Sequence, residues 1–146
     1  TSARGAELSA DVALVSGFHA KAGYTFTDSK ILESTSTSKV FQVGKWAFRR
    51  PRHSGFLNLA WTGARASVDV SGTFSGSRVD SDFSSLQLPI ESNDGYAQWD
   101  VRAIARLTRV FSLTGAIDNL TDSHRMEPLG YPILGRAIRF GVRARF

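Results

Sequence analysis

Residues 64–77 read ARASVDVSGTFSGS, a run that alternates between two kinds of side chain. Even-numbered positions carry Ala, Val, Gly or Phe, and odd-numbered positions carry Arg, Ser, Asp or Thr. Because successive side chains of a β-strand point to opposite faces, the run predicts a strand with one apolar and one polar face. It exceeds the common strand length of about 5–6 residues and suffices for a tilted strand to cross a bilayer, which takes about 9–11 residues.

The same two-residue period recurs along the chain, least regularly around Phe56 and after Phe111. It predicts seven strands, at residues 7–15, 18–27, 54–62, 64–77, 96–107, 111–119 and 136–146. Between them, three tight turns alternate with three long polar loops at residues 28–53, 78–95 and 120–135. The turns are Ser16-Gly17, Thr62-Gly63 and Thr108-Arg109, and the two glycines are expected at positive φ.

This layout is typical of an outer-membrane barrel, with short turns in the periplasm and long loops outside. Aromatic residues fall at both strand ends, as the two bilayer interfaces favour. Those at the turn end are Phe18, Trp61, Phe111 and Phe146, and those nearer the loop end are Tyr24, Phe26, Phe74, Tyr96 and Phe140. The sequence therefore predicts an all-β fold, an antiparallel up-and-down meander of about seven long transmembrane strands. A soluble β-sheet binding module, which also alternates, is the competing interpretation.

The amino-acid composition argues against several classes of function. Eighteen basic and 13 acidic residues give a formal net charge of +5, but the basic residues are spread along the strands, so nucleic-acid binding is not indicated. The absence of cysteine excludes disulfides, thiol nucleophiles and CxxC zinc sites. His19, His53 and His124 fall in different segments, and Asp122 and Glu127 beside His124 are more simply solvated loop residues than metal ligands. No catalytic, cofactor or metal residue is predicted, and a small barrel enzyme that acts on lipids remains only an alternative.

An odd number of strands predicts an open sheet. Single-chain bacterial barrels have an even number of strands, and seven strands would close into a barrel too narrow for their polar faces. The strands at residues 7–15 and 136–146 are expected to be the two edges. The chain starts at Thr1 without Met or a signal peptide, so we expect a processed or cut start. Because an open sheet leaves unpaired edges in lipid, we expect further strands before Thr1 unless another chain covers an edge.

Several segments carry a family resemblance. The run RGAEL at residues 4–8 resembles the "RGxEL" strand of TonB-dependent outer-membrane receptors, and FHAKAGYTFTD at residues 18–28 resembles the strand that follows it. Further matches are RPRH at residues 50–53, IDNLTD at residues 117–122, GYP at residues 130–132 with Gly135-Arg136, and the terminal strand that ends in Phe146. Together these segments cover essentially the whole chain.

The resemblance implies a barrel of about 22 strands closed by an N-terminal plug. Residues 1–146 would be its C-terminal barrel segment, without the plug, in the outer membrane of a Gram-negative bacterium. The implied function is import of a scarce ligand, such as a siderophore, another metal chelate or a cobalamin-like molecule. The implied partners are the rest of the barrel and its plug, the TonB system through the missing N-terminal part, outer-membrane lipid with lipopolysaccharide, and the barrel-assembly machinery, which would read Phe146.

Charged residues on the polar face are predicted to point into the lumen. They are Arg65, Asp69, Asp100, Arg102, Arg106, Arg139 and Arg143, with Arg145 at the chain end. These side chains could contact the plug or the substrate, or they could form a ladder of cross-strand ion pairs and hydrogen bonds; the ladder is favoured for most of them.

The first long loop is basic and carries Phe41 and Trp46 among its cations, which are Lys30, Lys39, Lys45, Arg49, Arg50 and Arg52. An anionic chelate and the phosphates of lipopolysaccharide are both candidate ligands for this loop, and the sequence does not separate them.

Overall fold

A computed structural model of the chain describes residues 1–87 and 89–145. Seven strands form one antiparallel sheet in the order β1-β2-β3-β4-β7-β8-β9, and β5 pairs with β6 in a separate two-stranded sheet. The strands are β1 (Ser2–Ala13), β2 (Phe18–Lys30), β3 (His53–Thr62), β4 (Ala66–Ser75), β5 (Arg78–Ser81), β6 (Ile90–Asn93), β7 (Tyr96–Arg106), β8 (Phe111–Asp118) and β9 (Ala137–Ala144).

The predicted up-and-down meander is confirmed. Each strand of the large sheet pairs with its neighbours in the chain, once the small β5–β6 hairpin is set aside. Within the described residues β1 pairs only with β2 and β9 only with β8, so the sheet is open, with the expected edges. Several boundaries differ from the prediction. β1 starts earlier and β2 ends later because Ser2 pairs with Lys30, and β4 is shorter, Ala66–Ser75, because the residues before Ala66 form the turn.

The register aligns the apolar side chains of all seven strands on one face. Val70 lies opposite Leu59 on one side and Val101 on the other, and Ile117 lies opposite Ile138. Directly opposite residues share a face, so the alternation found in single strands continues across the sheet. This face is largely uncovered, and among the described residues Ile31 is the one hydrophobic side chain that is buried.

That lack of a core bears on the soluble alternative. A soluble domain is stabilised mainly by removing apolar surface from water. Here Leu8 is 73% exposed and Phe140 is 87% exposed. The apolar face of the sheet is therefore open to contact with another medium or another surface. A soluble binding module does not fit this distribution. Within the described residues, no helix has both the length and the apolar character needed to cross a membrane.

The turns follow the prediction except at one glycine. Ser16 and Gly17 have φ of 58° and 81°, as in the hairpin turns that match strand twist. A Cβ at Gly17 would also overlap the carbonyl oxygen of Thr62. The expected positive φ at Gly63 is wrong: its N–H donates to the carbonyl of Ala66 (2.8 Å) across a longer turn, which needs no left-handed residue there.

Candidate functional site

The polar face of the sheet carries the charged residues predicted to line the lumen. Asp69 on β4 accepts a hydrogen bond from the Asn58 side chain on β3 at 2.7 Å. Arg102 lies directly opposite Asp69 on β7, but its guanidinium approaches Asp118 on β8, with Nη2 to Oδ1 at 3.9 Å. Asp69 is therefore held by an amide, and Arg102 belongs to the next group along the sheet.

Asp118 is the centre of that group. Arg139 on β9 brings Nη2 to 2.5 Å from Asp118 Oδ2, so one carboxylate serves arginines from both neighbouring strands. Both arginine side chains are more than half exposed, which limits the strength of these pairs, whereas Asp118 is 25% exposed. The contacts are those of the cross-strand ladder.

Asp100 lies on β7, beside the loop end of β8. Its Oδ1 accepts hydrogen bonds from the Asn119 amide at 2.8 Å and from the Gln98 side chain at 3.1 Å. Gln98 in turn accepts a bond from Arg125 Nη2 at 3.0 Å, and the Arg125 guanidinium carbon lies 3.6 Å from the centre of the Tyr96 ring. Asp100 thus supports the position where the third loop leaves the sheet, and that role is structural.

The remaining four predicted lumen residues gather at the turn end. Arg65, Arg106, Arg143 and Arg145 line a cavity of about 680 Å³ together with Arg109; these five side chains are called the arginine hollow below. No acidic side chain lines the cavity, and none of the five arginines forms an ion pair within the described part of the chain. Like charges this close repel one another, so the hollow is suited to an anionic partner.

A buried carboxylate joins the three long loops. Asp80 on β5 is 1% exposed and receives Arg49 Nε from the first loop at 2.6 Å. The amide of Leu129, from the third loop, donates to Asp80 at 3.0 Å. Within the second loop, the Ser81 amide donates at 2.8 Å and the Asn93 side chain at 3.4 Å. These residues form what is called the Asp80 node below.

The node holds Asp80 as a carboxylate. Burial disfavours the charged form and raises the pKa of Asp80, but the hydrogen bonds from Leu129, Arg49, Ser81 and Asn93 outweigh it and leave the pKa below its usual value. A charged group at such depth is tolerated when its acceptor sites are filled, as they are here.

Contacts around the node extend the connection between loops. Arg78 on β5 is buried and pairs with Glu127 in the third loop. The Asn93 side chain also donates to the carbonyl of Met126 at 3.1 Å, and the Phe83 amide donates to the carbonyl of Leu129 at 3.0 Å. The second and third loops are therefore packed as one unit, with the first loop attached through Arg49.

Sequence reasoning missed this node. The four-residue strands β5 and β6 are too short to show a convincing period, and a lone Asp in a polar loop is ordinarily solvated. The only local signal is the alternation of Arg78, Val79, Asp80 and Ser81, which becomes informative once the partners 13 or more positions away are known.

The histidines remain apart. His19 lies 2.7 Å from Asp11 on the polar face, and His53 Nδ1 contacts the Tyr24 hydroxyl at 2.6 Å on the apolar face. Near His124, the pKa of Asp122 lies below its usual value, mainly because the backbone amide of Arg136 donates a hydrogen bond to the carboxylate. The nearby charges of His124 and Arg136 act in the same direction. Among the described residues no three His, Asp or Glu side chains form a group that could hold a metal.

Phe146, the predicted assembly signal, lies outside the described residues.

Comparison with known proteins gives one family and one fold. The family model described as "TonB dependent receptor-like, beta-barrel" matches residues 1–120. A search of curated proteins returned no match. Among solved structures, the ferric-catecholate import receptor Fiu from K12 E. coli superposes with a TM-score of 0.77 at 19% identity, over 99% of this chain and 21% of that one.

Two other solved structures agree. The ferripyoverdine receptor of the Pseudomonas aeruginosa outer membrane, bound to ferripyoverdine, gives a TM-score of 0.69 at 17% identity, over 97% of this chain and 19% of that one. The ferric citrate transporter FecA gives 0.68 at 14% identity, over 88% of this chain and 21% of that one. At these identities the likeness shows the fold, and the chain spans about a fifth of the length of the structures it matches.

Proposed function

Because the chain belongs to the TonB-dependent receptor β-barrel family, we propose that it forms the C-terminal wall of an outer-membrane receptor that imports a scarce ligand. The family consists of receptors and transporters and not of enzymes, so the lipid-modifying alternative is dropped. The observation that carries the proposal is the register, which gives one continuous apolar face and one charged face over seven strands. That distribution suits a wall between lipid and a wet lumen.

The proposed ligand is an iron chelate. The matched structures are named for a ferric catecholate, ferripyoverdine and ferric citrate, and these names favour a ferric chelate over a cobalamin-like molecule. Ferric chelates of this kind carry oxygen donors and often a negative charge, which the guanidinium-rich polar face of this chain would attract. The family's barrels are outer-membrane proteins of Gram-negative bacteria, and we place this chain there.

We propose that a plug domain docks against the arginine hollow. Arg65, Arg106 and Arg143 lie at the turn end of the polar face without anionic partners among the described residues, and an acidic plug surface would neutralise them. Asp69, Asp100, Arg102 and Arg139 are already engaged with neighbouring strands, so they are weaker candidates for plug or substrate contact. Coupling to the TonB system would pass through the plug, and recognition by the assembly machinery through Phe146 stays a prediction.

An uptake assay tests the import function. The full-length protein is expressed in a bacterial strain that lacks its own chelate receptors, and the cells are supplied with radioactive iron as catecholate, hydroxamate or citrate complexes. We expect uptake of at least one complex, and we expect it to disappear when the TonB gene is deleted. Surface-exposed protein that supports no uptake of any of these ferric chelates would contradict the proposal.

A further inference from the structure

The apolar face ends, on the loop side, in a band of aromatic rings. The rings of Tyr24 and Phe74 have centroids 6.3 Å apart, and those of Phe26 and His53 are 5.3 Å apart. Tyrosine and other amphipathic rings favour the headgroup level of a bilayer. The band therefore marks where the apolar face gives way to the loops.

Basic side chains lie immediately beyond this band on the same outward side. Strand β2 continues past Phe26 to Lys30, which has the same parity and so points to the same face. Lys30 forms an isolated antiparallel bridge with Trp46. The guanidinium of Arg52 lies 5.5 Å from the centre of the Phe26 ring and 5.1 Å from that of Trp46. Trp46, half exposed, thus stands directly above the aromatic band.

Two adjoining hollows meet at Trp46 and Val79. One, of about 590 Å³, is lined by Lys30, Lys39 and Lys45, and the other, of about 290 Å³, contains Arg50 and Arg52. These five cations around Trp46 are called the Trp46 basic surface. No acidic side chain lines either hollow.

Charge at this surface is poorly compensated. Asp28 is shared between Lys30 at 3.7 Å and Arg52 at 3.8 Å. In the described part of the chain, Lys39, Lys45 and Arg50 have no ion pair. A cluster of unpaired cations beside an exposed Trp attracts anionic groups.

We propose that the Trp46 basic surface binds phosphate groups on lipid headgroups of the outer leaflet, of the kind that lipopolysaccharide carries. The surface faces outward, away from the polar face that an imported ligand would follow, and it begins at the level where headgroups lie. Clustered Lys and Arg at that level attract phosphorylated headgroups, and the Trp46 ring occupies the interface. The inference rests on the proposed outer-membrane placement.

The test compares two forms of one lipid. The full-length protein, purified and stripped of lipid in detergent, is titrated with lipid A that carries its phosphates and with the same lipid A after phosphatase treatment, and bound lipid is counted by native mass spectrometry. We expect preferential retention of the phosphorylated form. For Lys45→Gln with Arg50→Gln we expect about thirty-fold weaker retention, which corresponds to about 2 kcal/mol, or about 1 kcal/mol for each charge.

Controls separate charge from folding. Lys45→Arg with Arg50→Lys keeps both charges and should restore retention, and Lys21→Gln on the polar face should leave it unchanged. Folding of each variant is checked by its heat-dependent mobility on a gel, and if the double variant does not fold, the comparison of the two lipid A forms on the unmodified protein still decides. Equal retention of both forms, or unchanged retention by the folded double variant, would overturn the inference.

Two further readouts identify the source of the anion and isolate the failure. If inorganic phosphate alone stabilises the protein through Lys45 and Arg50 while lipid A does not compete, the site takes a free anion and the lipid proposal is wrong. Retention is measured without any transported ligand. A protein that retains lipid A but imports no iron would therefore refute import and leave the lipid site standing.

Discussion

A charge placed on the apolar face should be far more costly than the same charge one residue away. Val70 occupies the middle of β4, between Leu59 and Val101, and Ser71 points to the other face, between Asn58 and Asp100. We compare Val70→Arg with Ser71→Arg, because the two substitutions introduce the same side chain at the same depth.

The expected magnitude follows from the depth of Val70. Four or five residues separate it from either end of β4, and at about 3.3 Å per residue with a tilt of about 45° this places it about 10 Å below each strand end. An arginine near the midplane on the lipid face costs about 2–4 kcal/mol, a shift of about thirty-fold to nearly a thousand-fold in the folding equilibrium. Arginine at position 71 instead gains Asp100 as a neighbour, so its cost should stay below about 1 kcal/mol.

The assay is equilibrium folding of the full-length protein into phosphatidylcholine vesicles across a urea series, followed by tryptophan fluorescence. Val70→Ala measures the packing lost at this position without the charge, and its effect is subtracted from that of Val70→Arg. Equal destabilisation by the two arginine variants, or a larger effect at position 71, would refute the assignment of the two faces.

Further predictions concern the loops, the turns and the polar ladder. Asp80→Asn should remove the charge-assisted contact to Arg49 and raise amide hydrogen exchange in all three long loops, while a change confined to the second loop would contradict the node. Because the folded-state pKa of Asp80 lies below its unfolded value of about 3.9, the stabilisation is complete above that pH and is lost as pH falls through the folded pKa. Protection against exchange, corrected for the intrinsic exchange rate at each pH, should therefore be the same at pH 7 and pH 5 and should fall only below about pH 4. Gly17→Ala should destabilise the barrel by more than about 1 kcal/mol and by more than Gly44→Ala does, since both have positive φ but only Gly17 is crowded; equal urea midpoints would contradict this. Arg139→Gln should cost less than about 1 kcal/mol, because its pair with Asp118 is exposed and Arg102 remains nearby, and a loss above about 2 kcal/mol in the same assay would show that the ladder is stronger than its exposure implies.

The strands were predictable because the residues within each strand reflect the different environments of its two faces. Residues 64–77 alternate because one face of β4 is apolar and the other polar, and the partner strands repeat that choice at matching registers. The limits of this reasoning appear where structure depends on distant partners. The pairing of Ser2 with Lys30 extends β1 and β2 through residues with no clear period, and β5 and β6 stabilise each other over only four residues.

The charged residues show the same division. The alternation of side chains along a strand was enough to place Asp69, Asp100 and Arg139 on the polar face, because the face to which a side chain points depends only on its position along the strand. Which of them meet depends on register and rotamer, and the sequence does not specify these: Arg102 lies opposite Asp69 yet approaches Asp118. Asp80 was missed for the opposite reason, since its burial comes from Arg49 and Leu129, 31 and 49 positions away.

The Asp80 node also limits how this part of the molecule can vary. Surface loops ordinarily behave as independent modules that accept insertions and grafts one at a time. Here an insertion near Leu129, or a replacement around Arg49, would leave a deeply placed carboxylate short of a donor in another loop. The three loops should therefore be exchanged between receptors as a set, and transplanting any one of them alone should carry a penalty that depends on the other two.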